Sequence, residues 1–152
     1  MLLPVAFILG IWSGEDLSTL LGLSNGALAM MGICLVSAIL IPRGVLQRCL
    51  FPIGVVGLLV AGHQIGSHSS KTAFNECFRS GESVRKDLAG YRSRTGAFPE
   101  TLEAMGKPLP GGRLLRGSLL EYHREGDGYE LSFGDHWVSH RATSSSAFHA
   151  HK

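Results

Sequence analysis

The chain has 152 residues, 45% of them hydrophobic and 17% charged, with a formal net charge of +2. A net charge so small gives no argument for nucleic-acid binding. Three cysteines are too few for the disulfide scaffold that stabilises small secreted domains.

Charge is unevenly spread. From Met1 to Gly66 the only charged residues are Glu15, Asp16, Arg43 and Arg48, and nearly all the rest fall from Lys71 onward. The first part is therefore expected in lipid, as an anchor over residues 1–70. Leu2 to Trp12 is apolar, but at about 1.5 Å per residue it reaches only about half way across a bilayer, so it reads as a short tilted, re-entrant or interfacial segment. It lacks a basic start, and Ser13-Gly14-Glu15 is a poor cleavage site, so a removed signal peptide is not expected. Residues 17–42 are uncharged and long enough for a hydrocarbon core of about 30 Å, while residues 49–66 stand at the lower limit of about 17 to 20 residues. Together they predict a transmembrane helical hairpin. Arg43 and Arg48 in its turn favour the cytoplasmic side and put the chain from Lys71 onward outside, although Lys71, Arg79, Arg85 and Lys86 weigh the other way. Gly62 and Gly66, Gly57 and Ala61, and Gly22 and Gly26 have the small-xxx-small spacing that lets helices approach closely, which is also ordinary glycine content for membrane helices.

Beyond the anchor, Phe74, Cys77, Phe78, Gly81, Val84, Leu88 and Tyr91 recur at steps of three and four, an apolar stripe on an amphipathic helix, with Arg79, Glu82, Arg85, Lys86 and Arg92 mostly off it. Gly96 sits where a left-handed C-terminal residue belongs, and Phe98 before Pro99 is pushed towards extended backbone. A short second helix from Pro99 to Met105 is expected to return Leu102 and Met105 to the same core. Gly106 to Gly112 reads as a loop. Leu119 to Arg124 and Tyr129 to Phe133 then make a hairpin around Glu125-Gly-Asp-Gly128, with Tyr129, Leu131 and Phe133 on one apolar face. His136 to Arg141 supplies a third strand, and the serine-rich residues 144–152 form a disordered tail.

Tyr91, Gly96, Phe98, Pro99, Thr101, Leu102 and Met105 stand in the order and spacing of a known signature. In these residues the second half of the chain resembles the major pseudopilins of type II secretion and the related type IV pilins. The resemblance implies a long N-terminal helix packed on an antiparallel sheet, in which Gly128, Tyr129 and Leu131 match a family strand, and a membrane-anchored role without catalysis. Arg43-Gly44-Val45-Leu46 imitates the family's processing site. Cys49, however, stands where the family has glutamate, Arg48 intrudes, and a hydrophobic region precedes the leader. A fixed membrane subunit is thus expected rather than a fibre subunit extracted from the bilayer.

The remaining reactive residues suggest no chemistry. Cys34, Cys49 and Cys77 are placed as small hydrophobes, with a cross-link between subunits open to Cys77 if it is exposed. None of the seven histidines combines zinc spacing with a cysteine pair. His63 near the end of the second span could ligate a pigment or haem, and Glu125 and Asp127 could help bind calcium, as loops in some pseudopilins do; the plainer readings are an interfacial histidine and a solvated turn. Ser139 and His140 are neighbours on a strand and point to opposite faces, and Asp135-His136 has no nucleophile beside it. The sequence thus predicts an α+β membrane protein, with a transmembrane hairpin, a pseudopilin-like soluble domain over residues 71–143 and no catalytic, cofactor-binding or metal residues. The expected function is a non-enzymatic accessory or structural subunit of a larger assembly in the bacterial inner membrane, with a periplasmic interaction domain; the alternative is a divergent secretion or pilus component. Its partners would be other membrane subunits and lipid, with neither nucleic acid nor a small-molecule substrate.

Overall fold

The computed structural model describes residues 2–16, 32, 36, 45–135 and 137–151. The predicted first span at 17–42 lies outside the described residues except for Gly32 and Val36, as do Arg43, Gly44, Cys34 and His136. A transmembrane hairpin is therefore not shown: among the described residues one helix is long and apolar enough to cross a membrane. The chain divides into two units, Met1–Ser70 and Lys71–Lys152.

In the first unit the short apolar segment is a helix, α1, Leu2–Gly14. It packs along the first part of α2, Val45–Thr95. Ala6, Val55 and Leu59 form a buried cluster with Leu9 and Phe51 against it. Four glycines bring the backbones together. A Cβ built at Gly10 would lie 2.4 Å from the Leu59 carbonyl oxygen, and at Gly14 2.2 Å from that of His63. From the other side, one at Gly62 would lie 2.3 Å from the Phe7 carbonyl oxygen and at Gly66 2.1 Å from that of Ile11. Only glycine fits at such a crossing. The contacts advance in step along both helices, so α1 and this part of α2 run parallel. The pair ends at Glu15, which is fully buried; its carboxylate accepts from Ser69 Oγ at 3.0 Å, and its carbonyl from Ser70 Oγ at 3.1 Å.

α2 is one unbroken helix of 51 residues, whereas the sequence suggested a span and then a separate amphipathic helix. Nothing between Gly66 and Lys71 breaks helical geometry, since His68, Ser69 and Ser70 are polar without being helix stops. The helix also runs past Tyr91 to Thr95, and Gly96 ends it at φ +84°, its N–H bonded to the Arg92 carbonyl at 2.8 Å, the left-handed stop expected there.

In the second unit, Ala73, Cys77, Val84 and Leu88 of α2 are buried, but Phe78 of the expected stripe is 64% exposed. The second helix is a single 3-10 turn, Leu102–Met105, closed by Gly106 at φ +68°. The expected loop leads into a two-stranded ladder, β1 (Gly112–Arg113) with β2 (Gly117–Ser118), which no signal in the sequence foretold. Beyond it lies a four-stranded antiparallel sheet in the order β3 (Glu121–Glu125), β4 (Gly128–Gly134), β5 (Ser139–Thr143) and β6 (His149–His151). On β4, Tyr129, Leu131 and Phe133 are buried and alternate with half-buried Glu130 and Ser132, as the period of two requires.

The tail is the clearest correction. Instead of being disordered, it contributes β6, paired with β5 through Ser139↔His151, His140↔Ala150 and Arg141↔His149. Composition suggested nothing to bury, but Phe148 packs on the Phe133 ring at 5.2 Å, in a notch that exists because residue 81 is glycine: a Cβ there would lie 2.7 Å from the Phe148 ring.

Candidate functional site

The signature residues form a clasp between helix and sheet. Phe98, Pro99 and Leu102 are buried. The Phe98 ring meets Tyr129 edge to face at 4.8 Å, and the Arg92 guanidinium lies over Phe98 at 4.9 Å. From β3, the Tyr122 hydroxyl donates to the Pro99 carbonyl at 2.6 Å, and Arg124 pairs with Glu100. The turn is thus held by aromatic packing and one directed hydrogen bond. Tyr91 is only half-buried and Leu88 fully buried, so the greater burial lies one turn earlier than the tyrosine.

Aromatic side chains also line a recess in the helix–sheet seam. His140 and Phe133 are stacked with centroids 5.0 Å apart and planes 13° from parallel, and Phe74 and Phe78 meet the His140 ring edge-on at 5.7 and 5.6 Å. Phe78, Phe133 and His140, with Glu82, Phe148 and Ala150, line a cavity of about 310 Å³. Glu82 is the electrostatic anchor of this seam. It accepts from the Phe148 N–H at 3.2 Å and pairs with Arg85 at 2.8 Å, and Arg85 donates to the Thr143 carbonyl at 3.3 Å. Burial works to raise the Glu82 carboxyl, but the Phe148 N–H and Arg85 outweigh it and hold the group below the ordinary glutamate range. Burial pushes the Tyr129 phenol up against the pull of Arg85.

The chemically reactive residues are dispersed. Ser139 and His140 pair with different partners, Ser139 with His151 and Gly134, His140 with Ala150 and Phe133, and His140 is committed to the aromatic stack. Asp135 accepts from the backbone N–H groups of Trp137 and Val138, both at 2.8 Å, and so caps the β4–β5 turn. Glu125 and Asp127 lie exposed at the β3–β4 turn, where Gly126 has φ +54°. Glu121, Tyr122, His123, Glu125, Glu130 and Ser132 line an open recess of about 520 Å³ on the sheet; among the described residues no group of three or more His, Cys, Asp or Glu side chains is placed to hold a metal ion. His149 and His151 lie on β6 with rings 6.2 Å apart. His63 belongs to the glycine crossing, its backbone against Gly14.

Cys77 is buried and free. Burial first, then nearby Glu76, pushes its thiol up to about 11. Its sulfur fills the space beside Gly111, whose φ is +80° and whose added Cβ would lie 2.3 Å from Sγ. A cross-link between subunits does not suit a thiol placed there.

What the geometry offers is surface. Large apolar side chains stand exposed on the helix pair, namely Leu3, Val5, Ile8 and Trp12 on α1 and Leu50, Ile53, Val56, Val60 and Ile65 on α2. In the second unit Phe78, Leu114, Leu115 and Trp137 are exposed. Together these define a chain with a long apolar helix followed by a small antiparallel sheet, an α+β arrangement loosely compatible with a pilin-like fold. Comparison with protein-family models, with curated proteins and with solved structures finds no match.

Proposed function

We propose that this protein is a non-enzymatic accessory or structural subunit of a larger assembly in a bacterial inner membrane, anchored by α1 and α2, with the sheet-bearing unit as its periplasmic contact domain. The observation carrying this reading is the apolar exterior of a helix pair whose interior is already closed by glycine contacts. Side chains such as Ile53, Val60 and Ile8 point away from the crossing, and a soluble protein rarely leaves so continuous an apolar surface to water. Acyl chains solvate it without loss. Arg43 and Arg48 before the span favour the cytoplasmic side and support this orientation.

Alkaline carbonate washing should leave the protein in the membrane pellet, and purification in mild detergent should bring its partner subunits with it. Recovery in the carbonate supernatant would refute the anchor, and a chain purified without stoichiometric companions would refute the accessory role.

A second reading, a divergent secretion or pilus component, draws support from the course of α2, which passes unbroken from an apolar segment into an amphipathic one and then to the sheet. Intact mass spectrometry separates the two. A fixed subunit keeps its residues before Val45, whereas a processed pilin-like protein begins there.

A further inference from the structure

The geometry points to a second membrane contact: we infer that the sheet-bearing unit rests on the phospholipid headgroup layer through two loops, the tip of the β1–β2 hairpin and the β4–β5 turn. This rests on the membrane reading above. Both loops lie at the same end of the unit. β4 begins beside Phe98, past the C-terminus of α2, through the Tyr129 contact at 4.8 Å, and ends beside Phe74, through Phe133 at 5.5 Å. The turn after it, Asp135 to Val138, therefore projects towards the Lys71 end of the helix. The base of the β1–β2 hairpin is fixed at the same level: the Gly111 N–H donates to Glu76 Oε2 at 3.1 Å, and a Cβ on Gly111 would meet the Ala73 carbonyl at 3.3 Å.

Chain continuity puts that end next to the bilayer. Lys71 lies beyond Gly66, the last residue of the apolar segment, by roughly 7.5 Å of helix, comparable to the roughly 5 to 7 Å of headgroup region on each side of the hydrocarbon. The side chains presented there suit that layer. Of the large apolar residues exposed in this unit, Leu114 at 62%, Leu115 at 47% and Trp137 at 69% all belong to these two loops, Phe78 being the other. Tryptophan favours the membrane–water interface, where its ring is apolar and its N–H finds a partner.

Charge is complementary to lipid phosphate. Arg113 and Arg116 bracket the two leucines, and Lys71 is exposed on the adjoining helix. The carboxylates nearby accept from backbone N–H groups, Glu76 from Gly111 and Asp135 from Trp137 and Val138. Arg113 also fixes the hairpin, donating to the carbonyls of Gly117, Arg116 and Ser118, so the leucines are presented on a closed loop.

The chain has two tryptophans, Trp12 on α1 and Trp137 on the turn, which allows a direct test on the full-length protein in lipid nanodiscs. Lipids brominated near the headgroup end of the acyl chain should quench about half or more of the Trp137 emission in a Trp12→Phe variant, and more than lipids brominated near the methyl end, as expected for an interfacial ring. Leu114→Ser with Leu115→Ser should weaken that quenching. In a Trp137→Phe variant, quenching of Trp12 reports the anchor. Trp12 quenched while Trp137 responds only to aqueous iodide would overturn the inference and leave the anchor standing. Trp137 shielded from both quenchers would overturn it in favour of a protein cover. If neither tryptophan responds to brominated lipid, the membrane reading itself fails.

Discussion

Leu88 has no exposed surface, while Tyr91, one turn on, is only half-buried. Truncating them should therefore have unequal effects. Leu88→Ala is expected to destabilise the sheet-bearing unit by about 2 to 5 kcal/mol, the range for a buried leucine left as a cavity, and Tyr91→Ala by less, in urea titrations of the detergent-solubilised protein followed by near-ultraviolet circular dichroism. Equal midpoint shifts would mean that the packing between helix and sheet is not as described. Cys77 gives a test by pH. Its thiol is raised from 9.0 to about 11 in the folded protein, so the folded state holds the proton more tightly than the unfolded chain. This contribution to stability is therefore fully present below pH 9 and is lost as pH rises towards 11. Melting temperatures of the wild-type protein and Cys77→Ala, compared at about pH 8 and above about pH 10, on either side of the unfolded thiol's range, should converge in alkali because the variant lacks this loss. Tyrosine titration is common to both and drops out of the comparison.

At the scale of elements, the decisive contact is the parallel crossing of α1 on α2. A Cβ at Gly62 would meet backbone on the facing helix, the Phe7 carbonyl at 2.3 Å, and backbone cannot swing aside as the Phe148 ring beside Gly81 can. Gly62→Val should therefore separate the helices. In a background without native cysteines, a pair introduced at Ala6 and Val55 should be joined by a short thiol-reactive cross-linker, and Gly62→Val should abolish the product, whereas the same change at Gly57, with no neighbouring atom within 4 Å, should leave it. Much of this architecture was legible in the sequence. The alternation of Tyr129, Leu131 and Phe133 gave β4, and Gly96 with Phe98-Pro99 gave the end of α2, because these are local signals. Gly62 and Gly66 were visible as a spacing, but their partner was not, since Gly10 and Gly14 lie in a segment too short to read as a span. The tail strand was hidden for a similar reason: Phe148 finds its burial on a notch made by Gly81, and composition carries no information about so distant a partner.

For the whole molecule, one helix joins two segments of different character. Its apolar beginning is suited to lipid and its later turns to a sheet, without a proline or glycine stop between Gly66 and Lys71. The candidate site resisted sequence reading because it is a surface rather than a constellation. Ser139, His140, Asp135 and Glu125 are individually recognisable residue types, yet each is accounted for by a ladder, a stack, a turn cap or an exposed turn. Leu114, Leu115 and Trp137 carry no motif, and only the fold brings them to one end.

The parallel course of α1 has a consequence for biosynthesis. Two adjacent helices that run the same way cannot be joined by a tight turn, so their pairing cannot form in the order in which the chain emerges. α1 is made first and must wait, its glycine face without its mate, until residues 55–70 have been synthesised. Closing so long a loop carries an entropic penalty, and contacts remote in sequence form late. A ribosome-stalled chain ending before Gly62 should accordingly give no cross-link from Ala6, and one extended well beyond Ser70 should give it, so that the helix pair is completed only late in synthesis.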